Sequence, residues 1–295
     1  MLRSLKDVEN YSVVATDGIV GPVTDLYFDD ESWVIRYLIV DTGAWLSQRR
    51  VLISPIAIDQ PNWARQILPV SITRQQVQNS PDIDTDKPVS RQHERSHLGY
   101  YRYPYYWGGG GLWGASLYPN LMLSTPGYGG SDAEYRRAQA QNARADAEAE
   151  ADRHQTDDPH LRSGNAIMRY HVHATDGDIG HIGGIIVDED TWAIRYLIVN
   201  TSNWWLGHEV IIAPKWIDNF AWADSKMVVG LSRQAIKDAP PYSSTAALNR
   251  EDELRTHSHH GRIGYWQHEA KHTAAATAHR THSSAANSTD RFIRP

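Results

Sequence analysis

Trp33-Val34-Ile35-Arg36-Tyr37-Leu38-Ile39-Val40 and Trp192-Ala193-Ile194-Arg195-Tyr196-Leu197-Ile198-Val199 are one stretch written twice, 159 positions apart. Each is β-branched and aromatic and apolar on both faces except at its arginine, the pattern of a strand covered on two sides. Outward from this pair the same shift keeps matching without a gap. Ala15-Thr16-Asp17-Gly18 lies over Ala174-Thr175-Asp176-Gly177, Trp45 over Trp204, Pro55 over Pro214, and Ile58-Asp59 over Ile217-Asp218. From Ala15 to Asp59, 20 of 45 positions are identical. The register runs on through Ser71–Gln75 over Gly230–Gln234 and Ser90–Glu94 over Asn249–Glu253. Two copies at one spacing are a duplicated domain in tandem rather than a solenoid. The chain divides into a first copy at 1–96, an insert at 97–159, a second copy at 160–260 and a tail at 261–295.

Within a copy, short apolar runs alternate with turn residues. Tyr11–Ala15, Val23–Phe28, Trp33–Val40, Val51–Ile53 and Ile67–Ile72 read as strands, and Asp17-Gly18 and Asp29–Ser32 read as turns. Thr73 is placed to cap a short helix over 73–77. Five or six short strands in about 75 residues predict a mainly β chain of two small antiparallel barrels in tandem, joined by a helical, low-complexity insert. Trp45, Trp63, Trp204 and Trp222 are the expected cover for the outer face. Arg36 and Arg195 break the apolar strand at one place in both copies. A structural ion pair with an acid such as Asp25 or Asp41 is the expected reason, and an anion site is the alternative.

Composition removes whole classes of function. The chain has 295 residues and no cysteine, so disulfides, thiolate nucleophiles, zinc-thiolate sites and iron–sulfur clusters are excluded. No apolar run of about 18 residues is present to form a spanning helix, and Met1–Asp7 has no signal-type apolar core. Both copies and the insert carry −3 each and only the tail is basic, at +3. Direct nucleic-acid binding is therefore not expected. The 11 Trp and 15 Tyr against 3 Phe, and the 15 His, are the compositional oddities.

The order Ala-Thr-Asp-Gly, an apolar strand, Asp29-Asp30-Glu31-Ser32-Trp33, Val34–Thr42 and Val51–Pro55 resembles the PRC-barrel domain. That family includes the cytoplasmic part of the photosynthetic reaction-centre H subunit and the C-terminal domain of a ribosome maturation factor. The resemblance covers roughly 70–80 residues of each copy and extends to 88–94 and 99–101, which are similar to tandem PRC-barrel proteins of bacteria. It implies a six-stranded barrel used for protein contact and supplies no catalytic residue, cofactor or metal. Its signature here is Asp17, Gly18, Trp33, Arg36 and Tyr37, repeated as Asp176, Gly177, Trp192, Arg195 and Tyr196. The implied role is a non-enzymatic scaffold in the cytoplasm, peripheral to a membrane protein complex, with room for a homo-oligomer. A ribosome-linked adaptor acting through a ribosomal protein, and a metal-binding protein or enzyme, are the alternatives.

The remaining features are weaker. Residues 100–130 are aromatic and glycine-rich. Tyr105, Tyr106, Trp107 and Trp113 either dock a partner or a membrane interface, or they fold back on the first copy or fill the seam between the copies. Residues 132–153 have helix propensity without an apolar stripe, and the tail holds seven histidines. The acids 29–31 and 188–190 are expected to face water. His171 and His173 are expected to be solvated or hydrogen-bonded. Gly177, Gly180, Gly183 and Gly184 precede a strand and serve a turn and a bend instead of cradling phosphate.

Overall fold

The structure is a computed structural model, and it describes residues 1–82, 89, 91–107, 111–114, 116–122, 160–201, 208–243 and 248–267. The expected helix at 132–153, Trp204 and the tail beyond 267 lie outside the described residues.

The first copy builds one sheet from β2 (Ser12–Ala15), β3 (Gly18–Asp29), β4 (Val34–Asp41), β5 (Arg50–Ile53) and β6 (Ile67–Pro69), in the order β5-β4-β3-β2-β6. The second copy builds β8 (His171–Ala174), β9 (Gly177–Asp188), β10 (Ile194–Asn200), β11 (Glu209–Ile212), β12 (Ile217–Ala221) and β13 (Lys226–Val229), in the order β11-β10-β9-β8-β13-β12. Five strands correspond one to one and in the same order, so the sequence repeat is also a repeat of topology; the second copy adds β12 beside β13, where the first has only the isolated bridges Ile58–Val70 and Asn62–Ile67. The second expected strand, read as Val23–Phe28, is longer: β3 starts at Gly18 and runs 12 residues, and β9 has the same length.

The expected antiparallel barrel needs two corrections. β6 pairs with β2, and β13 with β8, in parallel. Among the described residues neither sheet closes on itself. The opening falls after β5 and β11, where Pro55 and Pro214 start 3-10 turns at Pro55–Ala57 and Pro214–Trp216. Proline has no N–H to extend the ladder, and its fixed φ suits a helical turn.

Two short strands change partners. β1 (Leu2–Ser4) pairs with β9 of the second copy, and β7 (Leu161–Ser163) pairs with β3 of the first. Both read Leu-Arg-Ser and both are antiparallel. Leu2 faces Asp188, and Leu161 faces Asp29, the residue 159 positions earlier. Each copy thus lends its first strand to the other around a pseudo-two-fold axis. The copies also meet directly in an antiparallel bridge between Val34 and Ala193.

Short helices complete the frame. α1 (Arg74–Gln78) begins in a capping box made by Thr73 and Gln76. α2 (Arg91–Tyr101) follows in the first copy, and α3 (Gly164–Ile167) follows β7. α4 (Arg233–Lys237) repeats α1 with Ser232 as its cap, and α5 (Arg250–His259) starts from Asn249, whose side chain accepts from the N–H groups of Glu251 and Asp252. A large apolar core runs through both copies and includes Phe28, Val34, Ile35, Leu38, Ile185, Tyr196, Leu197 and Trp113, and a smaller one gathers Tyr27, Tyr37, Ile39, Leu52, Val89 and Leu161. Trp45, Trp63 and Trp222 pack against it from outside, half-buried.

Candidate functional site

The seam between the copies concentrates the chain's buried charge and its aromatic side chains. Arg36 projects from the middle of β4 and is 3% exposed. Its Nη2 donates to Asp29 Oδ2 at 3.4 Å and to Ser32 Oγ at 2.9 Å, and its Nη1 donates to the Leu112 carbonyl at 2.6 Å. Its guanidinium lies 3.8 Å from the ring centre of Tyr106 and 4.8 Å from that of Trp113. The second copy repeats the arrangement. Arg195 Nη2 donates to Asp188 Oδ2 at 3.0 Å and to Thr191 Oγ1 at 3.2 Å, and its guanidinium is 3.8 Å from the Tyr265 ring. Burial works to raise the Asp188 carboxyl, but the charge and hydrogen bond of Arg195, together with the N–H groups of Asp190 and Thr191, hold it below the usual carboxylate range.

The ion-pair reading of the two arginines therefore holds, and its partner is corrected. The acid is Asp29 or Asp188, not Asp25 or Asp41. A register shift between Tyr27 and Phe28 displaces the end of β3 relative to β4, changing which side chains share a face. Asp29 also accepts the N–H groups of Glu31 and Ser32, so the turn is built around this buried carboxylate. The acids expected to face water are likewise corrected. Asp30 accepts from Arg162 Nε at 2.8 Å and Glu189 from Arg3 Nε at 2.5 Å. Arg3 and Arg162 are themselves a repeat pair. Each bridges to the other copy's turn while stacking on its own copy's tryptophan, Trp63 at 4.2 Å and Trp222 at 4.5 Å. Glu31 and Asp190 are the exceptions, exposed as expected, with Asp190 beside the Met1 ammonium.

The other signature residues have structural work. Asp17 and Asp176 accept the N–H of Arg74 and of Arg233, each at 2.7 Å, tying a turn to the start of α1 and α4. Gly18 and Gly177 hold φ of +147° and +137° beside those arginines, a backbone that favours glycine. Trp33 and Trp192 both sit at positive φ, +56° and +59°, where bulky residues are rare. Tyr37 is buried against His97. Tyr196 is also buried, and its hydroxyl donates to Glu253 Oε1 at 2.9 Å. Burial pushes the Tyr196 phenol and the Glu253 carboxyl up. His173 contacts Asp178. Gly180 allows the Asn200 carbonyl to approach within 1.9 Å of where a Cβ would stand.

The docking candidates are corrected as well. Tyr106, Trp107 and Trp113 are buried, and Trp113 is 1% exposed. Tyr106 donates to Glu94, and Trp113 Nε1 donates to the Thr191 carbonyl of the second copy at 2.8 Å. Tyr105 is half-buried and stacks on Trp107. Trp113 sits in the seam, Tyr106 packs on Arg36 and Glu94 of the first copy, and the three buried rings are not presented to a partner. Their counterparts Tyr265 and Trp266 were missed, although the 159-residue shift places Tyr-Trp over Tyr-Trp in the sequence.

Two cavities flank the seam. One, about 620 Å³, lies between β3–β4 and α3 and includes Asp25, Arg50, Tyr27 and Trp222. Burial pushes the Asp25 carboxyl up, against hydrogen bonds from Ser163 Oγ and the N–H groups of Asn165 and Leu26. The other, about 410 Å³, includes Trp33, Leu112, Arg195, Trp216 and Tyr265.

Residues 2–69 match the PRC-barrel domain. The PRC-barrel match begins at β1 and ends with β6, so the strand lent to the second copy lies inside it. A search of curated proteins returned no match to the chain. Among the described residues, no helix is long and apolar enough to cross a membrane.

Proposed function

We propose that this chain is a non-enzymatic interaction protein in which two PRC-type barrels form an internal pseudo-dimer. The observation that carries the reading is the PRC-barrel match at residues 2–69, since domains of this family often mediate protein contacts. The gapless repeat and the shared strand order support a second PRC-type unit in residues 160–260. The buried arginine clusters support a structural use of the most distinctive residues, because each guanidinium is spent on an acid, hydroxyl or aromatic of the same chain. The partner in this reading is a protein complex at the cytoplasmic face of a membrane, the setting of the reaction-centre subunit that the domain resembles.

The test is affinity capture of the full chain from gently lysed native cells, with soluble and membrane fractions analysed separately. A stoichiometric protein partner is expected in the membrane fraction. Ribosomal proteins in the soluble fraction would redirect the reading to assembly of the ribosome. A chain recovered alone from both fractions would overturn the interaction role.

A further inference from the structure

The cavity of about 410 Å³ beside Arg195 has a twin within the same molecule, and the twin is filled. In the first copy the occupant is Trp113. Its indole lies against Arg36 and Tyr106, and its Nε1 donates to the carbonyl of Thr191 across the seam. Shifting those three neighbours by 159 positions, with the copies exchanged, gives Arg195, Tyr265 and Ser32. All three line the cavity. Trp33 and Pro214 line it too, and their counterparts at the 159-residue shift are Trp192 and Pro55.

We propose that this cavity binds a tryptophan side chain presented by a partner polypeptide, in the pose that Trp113 takes in the twin. The inference rests on the interaction role proposed above and names the chemistry of its partner. Three features fit an indole. The Arg195 guanidinium, already stacked on Tyr265, is the cation that an electron-rich ring seeks. Ser32 lines the cavity at the register of Thr191, so its carbonyl is the proposed acceptor for the indole N–H. An apolar rim from Leu112, Leu117 and Ile263 surrounds the opening, with Ile263 63% exposed. The site also continues an interface the chain already uses, since the seam joins one copy to the other. A buried aromatic anchor in such a pocket is the usual energetic centre of a protein contact. Residues 267–295 hold no tryptophan, and Lys271-His272 fall at the register of Leu112-Trp113.

The probe is a capped synthetic peptide of residues 111–117, Gly-Leu-Trp-Gly-Ala-Ser-Leu, titrated calorimetrically into the full chain. Saturable binding is expected. It should weaken at least tenfold when the peptide tryptophan is replaced by alanine, and by a similar factor in the rim variants Ile263→Asp and Leu117→Asp. Both substitutions are at exposed or half-buried positions and should leave thermal unfolding nearly unchanged. Absence of saturable binding, or binding indifferent to the peptide tryptophan or to both rim changes, would overturn the proposal. Binding seen only after removal of residues 268–295 would overturn it in favour of the tail as occupant. Captured partners that survive Ile263→Asp while the peptide fails to bind would sink the cavity and leave the interaction role standing.

Discussion

Val34 and Ala193 occupy the same place in the two copies, and they face each other. The bridge is closed by the Ile35 N–H donating to the Trp192 carbonyl at 2.8 Å and the Ile194 N–H donating to the Trp33 carbonyl at 2.7 Å. Equivalent residues pair with each other only on a two-fold axis, so this pair marks the centre of the molecule. The single difference between the two eight-residue stretches falls at this pair. The pair is one valine and one alanine, a smaller combined volume than two valines.

Replacing Arg36 by methionine should be among the most damaging single changes. It would leave the Asp29 carboxylate, 3% exposed, without its cation, at a cost of about 3–5 kcal/mol. Arg195→Met should cost less, about 1–3 kcal/mol, because Asp188 retains 16% exposure and can be hydrated. Adding Asp29→Asn to Arg36→Met should recover part of the loss, since the amide oxygen still accepts the turn N–H groups. Urea unfolding of the four proteins measures the order; equal losses at the two arginines would contradict it.

Trp113 ties the insert into the core, and truncation measures how firmly. Trp113→Ala should cost about 3–5 kcal/mol through lost burial and the cavity left behind. Trp113→Phe removes the indole N–H and strands the Thr191 carbonyl, for about 1–3 kcal/mol. Both should also speed proteolytic cleavage within 100–122. A thermal midpoint unmoved by Trp113→Ala would show that the insert contributes nothing to the fold.

Acid should destabilise the protein partly through His97. Burial against Tyr37 and Tyr101 lowers this imidazole to about 3. Between that value and the ordinary 6.5, the unfolded chain binds a proton that the folded one refuses. Stability therefore falls as pH drops through this window, by up to about 1.4 kcal/mol per unit from this group. The raised carboxyls of Asp25, Asp30 and Glu253 act oppositely, since the folded state holds their protons longer as pH rises. His97→Phe should flatten the acid limb of a stability–pH curve or reverse its slope. An unchanged slope between pH 4 and 6 would contradict the assignment.

Gly21 and Gly180 should resist every substitution. A Cβ on either would stand 1.8 Å or 1.9 Å from the carbonyl oxygen of Asp41 or Asn200, and Gly21 also holds φ at +157°. Backbone on backbone cannot yield as a side chain can, so each alanine variant should lose more than about 2 kcal/mol. Gly43→Ala is the control, with open space around it and only its φ of +58° to oppose the change. Thermal unfolding of the three variants should rank Gly43→Ala as the mildest.

Much of the strand framework was legible because β-branched runs and turn residues act locally, as in Trp33–Val40 and Asp17-Gly18. The duplication was legible because identity at a fixed shift needs no structure at all. Pairing between distant segments was not. Leu2-Arg3-Ser4 and Leu161-Arg162-Ser163 are too short to declare a strand, and nothing local says that each crosses to the other copy. The acid facing Arg36 depends on a register shift, which has no side-chain signature. Tyr106 and Trp113 looked like sticky surface because glycine surrounds them, and their burial comes from Arg36, Glu94 and Thr191 far along the chain.

The exchange of first strands also sets a timetable for synthesis. The contact of Arg3 with Glu189 spans 186 residues, and β7, which completes the first sheet, lies beyond the whole insert. Growing from its N-terminus, the chain must wait for residues 161–163 before the first sheet gains its last strand, and for β9 before its own opening strand finds a home. Contacts this remote in sequence slow folding, because the loops must close before any contact rewards them. The nascent first copy therefore leaves the ribosome with an unpaired sheet edge, a strand-hungry intermediate that a chaperone or a neighbouring polysome chain would meet before the second copy arrives.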